Sequence, residues 1–339
     1  MPDHQHIAVL GAGAWGTVLA NLAARHAATV HLWTREPAHA AEMAATGVNA
    51  RRLPGVPLAP NLTPTARLDD VAMASVILLA VPAQAVRQTL TALAGIAAPN
   101  VPLILCAKGI ERASGLFLSD VIGEILPANP PAVLSGPSFA ADVAKGLPTA
   151  VTLAAESEDE AADLARTLAA PWFRLYHSRD IRGLEIGGAA KNVLAIASGI
   201  AAGRGLGASA GAALIARGFA ELSRFGRAFG ADVTTLAGLS GLGDLVLTCT
   251  SGQSRNFSLG LALGRGNDLA SARADGQLTE GVFTSGVLVD LAHQKNIDMP
   301  ICEAVDAVLA ERIGIDAAIE ALLARPAKSE LAQALTEEK

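Results

Sequence analysis

Through the first half of the chain, short apolar runs at residues 7–10, 29–33, 76–79, 103–106, 133–135 and 150–153 alternate with longer stretches in which apolar residues recur at helical spacing. Runs of this length read as buried strands. Their alternation with helices is the rhythm of βα units, so an α/β domain with a doubly wound, mostly parallel sheet is expected. The pattern changes near residues 179–183, where strand signals fade and Ala/Leu/Ile-rich segments take over. Helices are expected at residues 187–203, 211–229, 254–263, 284–295, 301–311 and 315–323, with a polar tail after Pro326. Residues 1–180 are therefore read as one domain and 181–339 as a second, all-helical one. The first of these helices is apolar on nearly every side yet carries Lys191 and Asn192, two polar groups that need partners or a purpose once buried.

Composition narrows the picture. With 339 residues, 51% of them hydrophobic, the chain can bury a large core. A net charge of -6, from 32 acidic and 26 basic residues, gives no general affinity for nucleic acid or an anionic membrane, so any anion must be held by a local cluster. Cys106, Cys249 and Cys302 lie far apart without a CxxC pair, and no histidine spacing matches a zinc motif, which speaks against a metal site and a disulfide framework. The apolar runs are interrupted by Pro82, Lys191 or glycines before reaching spanning length, and the start lacks a secretory pattern. A cytoplasmic protein is expected.

Gly11, Ala12, Gly13, Ala14, Trp15 and Gly16 follow the first strand and open a helical stretch, the setting in which a G-x-G-x-x-G motif carries weight. Gly11 suits a tight turn, Gly13 a close backbone approach to a pyrophosphate, and Gly16 close packing of helix on strand. The second strand ends in Trp33-Thr34-Arg35-Glu36. An acidic residue at this point holds the ribose of NAD, whereas an arginine accommodates a 2′-phosphate. Arg35 favours NADP(H), with Glu36 leaving NAD(H) open.

More specific motifs follow: Cys106-Ala-Lys-Gly-Ile-Glu111, Ser135-Gly-Pro-Ser-Phe-Ala140, Glu185-Ile-Gly-Gly-Ala-Ala-Lys-Asn-Val193, Gly241-Leu-Gly-Asp-Leu-Val-Leu-Thr248, Ser254-Arg-Asn256 and Glu280-Gly281. In this order and over nearly the whole length, the chain resembles the bacterial NAD(P)-dependent glycerol-3-phosphate dehydrogenase family. The resemblance implies a Rossmann domain, a helical domain of the 6-phosphogluconate dehydrogenase-like type and an active site between them. It implies interconversion of sn-glycerol 3-phosphate and dihydroxyacetone phosphate, in the cell towards glycerol 3-phosphate for phospholipid synthesis. Lys191 takes the place of the catalytic lysine. Lys108, Gly136, Ser138, Asn192, Asp244, Ser254, Arg255 and Asn256 stand where the family contacts substrate, and Trp15, Arg35, Lys108, Ala140, Arg255, Leu278 and Glu280 where it touches the dinucleotide. Ala202, Ser209 and Phe257-Ser258 depart from the usual pattern.

Ketone reduction leaves a developing alkoxide that needs a proton and a nearby positive charge, and a lysine supplies both. Burial beside other cations brings a lysine down from its ordinary pKa of about 10.4 towards working pH. Lys191, helped by Lys108 and Asn192, is the expected general acid and base; the plainer reading is a core lysine paired with Asp244. Asp244, placed in a turn after Gly241 and Gly243, either orients Lys191 or caps a helix. Ser254-Arg255-Asn256 offers a hydroxyl, a guanidinium, an amide and free N-H groups to a phosphate, or is a serine cap with a solvated arginine. Two rivals remain: a dehydrogenase of another small anionic hydroxy compound, and a non-catalytic dinucleotide sensor. Apolar helices in the second domain make a homodimer the expected assembly.

Overall fold

The computed structural model describes residues 5–272 and 279–327. Eight strands, β1 (His6–Leu10), β2 (Thr29–Trp33), β3 (Leu62–Thr65), β4 (Val76–Leu79), β5 (Leu103–Leu105), β6 (Pro131–Ser135), β7 (Thr149–Ala154) and β8 (Phe173–Ser178), form one sheet in the order β3-β2-β1-β4-β5-β6-β7-β8. All neighbours are parallel except β6 and β7. The expected mostly parallel sheet is present, and its central strands are apolar on both faces because helices cover both. These helices are α1 (Ala14–Ala23), α2 (Pro37–Thr46), α3 (Val86–Leu93), α4 (Leu118–Ile125), α5 (Ala140–Ala144) and α6 (Glu158–Arg166).

Two strands escaped the hydrophobic pattern, β3 and β8, and both lie at sheet edges. An edge strand does not need a continuous apolar run: β3 carries Pro64 and two threonines, and β8 exposes Arg174 and Tyr176. Strand order reverses between β1 and β4, and the crevice beyond their carboxyl ends is where such sheets bind ligands.

Beyond β8 the described chain is helical: α7 (Ile181–Gly203), α8 (Gly207–Ala228), α9 (Val233–Ala237), a single π turn at Leu239–Gly243, α10 (Asp244–Thr250), α11 (Arg255–Gly264), α12 (Leu269–Ala272), α13 (Glu280–Gln294), α14 (Pro300–Leu309) and α15 (Ile315–Leu323). Asp180 starts α7 by accepting the Gly183 N-H at 2.7 Å. Asp244 is not in a turn as expected from its glycines; it is the first residue of α10, directly after the π turn. The polar tail after Pro326 lies almost wholly outside the described residues.

Helix α7 is the hub of this half and is buried along almost its whole length. Together with the segment Val233–Thr250, it is long and apolar enough to cross a bilayer, contrary to the reading that every apolar run is too short. Its apolar window is 89% buried against the protein itself, which accounts for the composition: a helix surrounded by helices has no polar face. Its approach to α11 is extremely close. A methyl group on Gly199 would fall onto the Phe257 carbonyl oxygen and one on Gly260 onto that of Ile196, while Gly203 and Gly264 repeat the arrangement one turn on. Small residues four apart on both helices let backbone touch backbone, and so bring the start of α11 beside the middle of α7.

Candidate active site

The glycine-rich turn lies at the carboxyl end of β1. Gly11 has φ +116°, and a Cβ there would sit 2.7 Å from the Ala80 carbonyl oxygen; one on Gly16 would strike the carbonyl oxygen of Gly11. Packing within the protein thus explains both glycines. Gly13 is different, because a Cβ there would meet nothing within 4 Å. Space in front of its backbone is what a pyrophosphate needs. Ala14 begins α1, whose N-cap makes no side-chain hydrogen bond and whose first turn has no acidic residue, so its free N-H groups and positive dipole end suit an anion. Trp15 is partly buried, its ring edge-on to Phe173 at 6.2 Å.

At the other end of that site Arg35 is exposed and has no ion pair among the described residues. Glu36, the acid that kept a ribose-binding role open, meets Arg51 at 3.3 Å, and Arg51 also contacts Glu42 at 2.7 Å. These exposed pairs are weak, but they set a cation against Glu36, the residue after Arg35, and partly neutralise the competing carboxylate.

At the junction of sheet and helices, Lys191 Nζ donates to Asp244 Oδ1 at 2.6 Å and to the Thr248 hydroxyl at 2.9 Å. Lys108 Nζ, from the loop after β5, donates to the other Asp244 oxygen at 2.6 Å and to the Gly136 carbonyl at 3.1 Å. The Asp244 side chain is 1% exposed, Lys191 9% and Lys108 20%, so one carboxylate is clamped between two ammonium groups of which Lys108 is the more accessible. Burial lowers the Lys191 pKa to about 8; Asp244 opposes that shift and Lys108 adds to it. Burial alone would raise Asp244, yet the two lysines overcome it and hold its carboxyl below the ordinary value. Two cations around one anion leave a net positive charge with an acid poised near neutrality.

Backbone details make this approach possible. Gly136, at φ +148°, would clash with the Val151 backbone if it carried a side chain, and a Cβ on Gly188 would lie 3.1 Å from Lys108 Cγ. Ser138 donates to the Gly136 carbonyl at 3.2 Å. Asn192 Nδ2 faces the carbonyl oxygens of Gly188 at 3.3 Å and Lys108 at 3.4 Å. Its Oδ1 accepts from Asn256 Nδ2 at 2.9 Å, and Asn256 Oδ1 accepts the Gly281 N-H at 3.0 Å. A chain of amides therefore ties α7, α11 and the start of α13 together.

Ser254 caps α11, its hydroxyl oxygen accepting from Phe257 N at 3.2 Å. The cap and the phosphate readings are compatible, since the hydroxyl hydrogen remains to donate. Arg255, the first residue of α11, is exposed and lines a cleft of about 520 Å³ with Gly252, Gln253, Ser258 and Thr279. The Asn256 side chain is engaged with Asn192 and Gly281, so its part at this helix start is to hold the turn.

Residues 6–161 match the family model of the NAD-dependent glycerol-3-phosphate dehydrogenase N-terminus, and residues 180–320 match that of its C-terminus. The chain belongs to the NAD-dependent glycerol-3-phosphate dehydrogenase family. A relative named glycerol-3-phosphate dehydrogenase (NAD(P)+) from Beijerinckia indica is 65% identical over 333 residues, which cover 98% of this chain and 99% of the relative. One of the same name from Azorhizobium caulinodans is 59% identical over 330 residues, covering 97% and 100%. Among solved structures, glycerol-3-phosphate dehydrogenase from Coxiella burnetii superposes with a TM-score of 0.91 at 41% identity, covering 96% of this chain and 100% of that one. A ketopantoate reductase from Ralstonia eutropha shares the fold alone, with a TM-score of 0.60 at 18% identity over 90% of this chain and 97% of that one. The helical half is of the 6-phosphogluconate dehydrogenase-like type, as the motifs implied.

Of the remaining positions that the glycerol-3-phosphate dehydrogenase resemblance pointed to, Ala140 begins α5 and, like Trp15, packs against the sheet core. Leu278 lies outside the described residues. Glu280 Oε1 accepts the Ala83 N-H at 3.2 Å, while its Oε2 is buried without a hydrogen-bond partner among the described residues. Burial raises the pKa of this carboxyl. A buried carboxylate oxygen without a donor among the described residues fits a ligand donor such as a hydroxyl or amide. Thr248 was missed by the motif reading although it holds Lys191; its signal is the four-residue spacing from Asp244, which puts both on one face of α10.

Proposed function

We infer that the chain is an NAD(P)-dependent oxidoreductase that interconverts sn-glycerol 3-phosphate and dihydroxyacetone phosphate, with Lys191 as general acid for reduction and general base for oxidation. The observation that carries this is the Asp244 carboxylate shared by Lys191 and Lys108, beside a glycine turn with open space for a pyrophosphate. The dinucleotide, bound along Gly11, Gly13 and Gly16, supplies or accepts the hydride. Lys191 donates its proton to the carbonyl oxygen as negative charge develops there, and Lys108 stabilises that charge from the other side of Asp244. The buried site favours the neutral amine left behind, which makes the ammonium a better acid than one in water. Asp244 holds both lysines in place and keeps Lys191 from losing its proton too early.

The substrate phosphate is assigned to the start of α11, where the Arg255 guanidinium, the Ser254 hydroxyl and the Asn256 N-H converge. NADP(H) is the favoured cofactor, supported by Arg35, which has no ion pair among the described residues, and by Arg51 against Glu36. We place the domain boundary at residues 180/181, where Asp180 caps α7 after the last strand. The physiological direction is reduction, feeding phospholipid synthesis in the cytoplasm. A homodimer is proposed through the helical half, where exposed Leu206 and Leu323 border an apolar groove of about 570 Å³ between α8, α14 and α15.

The test is loss of NADPH absorbance on adding dihydroxyacetone phosphate, run beside NADH and beside a non-phosphorylated ketone. Turnover that needs the phosphate is expected. NADPH binding without turnover would favour the sensor reading instead. A size measurement showing only monomer at working concentration would remove the dimer.

A further inference from the structure

Beneath the glycine-rich turn lies a buried polar network that the chemistry above does not use. Asn49, in the segment after α2, is fully buried. Its Nδ2 donates to the Ala12 carbonyl oxygen at 3.0 Å and to the Thr17 hydroxyl at 2.8 Å, and its Oδ1 lies 2.9 Å from His39 Nε2. Thr17 in turn donates to the Gly13 carbonyl at 2.8 Å. The orientation of the amide follows from its neighbours. A carbonyl oxygen only accepts, so the atom facing Ala12 is the amide nitrogen; Oδ1 then faces His39, and His39 Nε2 carries the hydrogen. The single Thr17 hydrogen is committed to Gly13, which leaves its oxygen to accept from Asn49. Every donor in the cluster has its acceptor.

We infer that Asn49, backed by His39, is a positioning residue for the dinucleotide: it fixes the Ala12-Gly13 peptide so that the Gly13 N-H faces the pyrophosphate. In a planar trans peptide the C=O and N-H point in opposite directions. Anchoring the Ala12 oxygen on Asn49 therefore turns the Gly13 N-H the other way. There it has no acceptor among the described residues, on the turn that leaves open space at Gly13. Glycines on either side make the turn easy to deform, so a fixed peptide plane here lowers the ordering cost of binding. The network also reaches α2, whose first turn contains His39 and whose N-cap, Glu36, adjoins Arg35. The two ends of the dinucleotide site are thus held by one buried amide.

This inference rests on the dinucleotide reading of Gly11 to Gly16, and the experiment separates the two. NADPH affinity of the full chain is measured by fluorescence for the wild type, Asn49→Leu, His39→Leu and His39→Gln, together with the KM for dihydroxyacetone phosphate at saturating NADPH and the melting temperature. Asn49→Leu is expected to weaken NADPH at least tenfold while the dihydroxyacetone phosphate KM stays within twofold. His39→Gln, which keeps an N-H for Asn49, is expected to restore much of what His39→Leu loses. A lower melting temperature with unchanged NADPH affinity, or equal losses for both ligands, would overturn the inference. Should Asn49→Leu fail to fold, the His39 pair decides: a loss that glutamine does not relieve overturns it as well. A wild type that binds no NADPH would overturn the dinucleotide reading itself.

Discussion

Lys191 Nζ and Asp244 Oδ1 lie 2.6 Å apart in the protein interior, and they come from helices that begin more than sixty residues apart in sequence. The pair is neither an isolated salt bridge nor a free acid. Lys108 takes the second carboxylate oxygen, and burial, with Lys108 adding to it and Asp244 opposing it, lowers the Lys191 pKa to about 8.

The direction of that shift fixes a pH dependence. With Lys191 as the proposed acid, reduction would use its ammonium form, so kcat for reduction is expected to hold at lower pH and to fall as pH rises through about 8. Oxidation needs the amine and rises over the same range. Lys191→Met should lower kcat by about 10²–10⁴-fold in both directions with the dinucleotide still bound. Pre-steady-state absorbance traces across pH 6 to 10 check both; a Lys191→Met variant with near-normal turnover would sink the assignment.

Asp244→Asn removes the charge that keeps Lys191 protonated against burial and Lys108. The pH limb for reduction should therefore move to lower pH, with a large fall in kcat. An unmoved limb would mean that Asp244 only packs.

Arg255→Ala is expected to raise KM for dihydroxyacetone phosphate by about 10- to 100-fold, the loss of a charge-assisted bond of about 1.5–3 kcal/mol. Turnover of a non-phosphorylated ketone should not change. After β2, Arg35→Ala should weaken NADPH and spare NADH. Equal losses for the two cofactors would withdraw the NADP preference.

Stability should fall as pH rises through a different group. Glu221, buried in α8, accepts the Ile301 and Cys302 N-H groups at 2.7 and 3.1 Å, and burial raises its pKa to about 7 despite those bonds. Its folded-state pKa exceeds its unfolded one, so its contribution is whole below pH 4.5 and is lost as pH rises through 7. Denaturant unfolding at pH 5 and pH 8 should show a smaller difference for Glu221→Gln than for the wild type. A difference of the same size in both proteins would count against the argument.

Gly260→Ala places a methyl group on the Ile196 carbonyl oxygen and must push α11 away from α7. Overpacking of this kind costs about 1–3 kcal/mol. Because α11 carries Ser254 and Arg255, the variant should lose phosphate affinity as well as stability. Unfolding curves and the dihydroxyacetone phosphate KM report the two effects separately, and a stable variant with unchanged KM would show that the close approach is dispensable.

The sequence by itself determined the fold class, most of the strands, the glycine turn and the identity of the charged residues, because these depend on short-range patterns. Central strands buried on both faces must be apolar runs, and Gly16 is demanded by the carbonyl of Gly11 at the start of the same turn. Edge strands β3 and β8 were not legible, since half-exposed strands tolerate proline and charge. Nor was the start of α10, where the glycines that suggested a turn at Asp244 permit a π turn leading into helix. What only the tertiary structure decided is who meets whom: Lys108 and Lys191 on one carboxylate, Thr248 beneath them, Asn256 spent on Asn192, and Asn49 under the glycine turn. Those meetings join elements far apart in the chain. Burial, charge and hydrogen-bond partners exist only once the helices and sheet have closed around them.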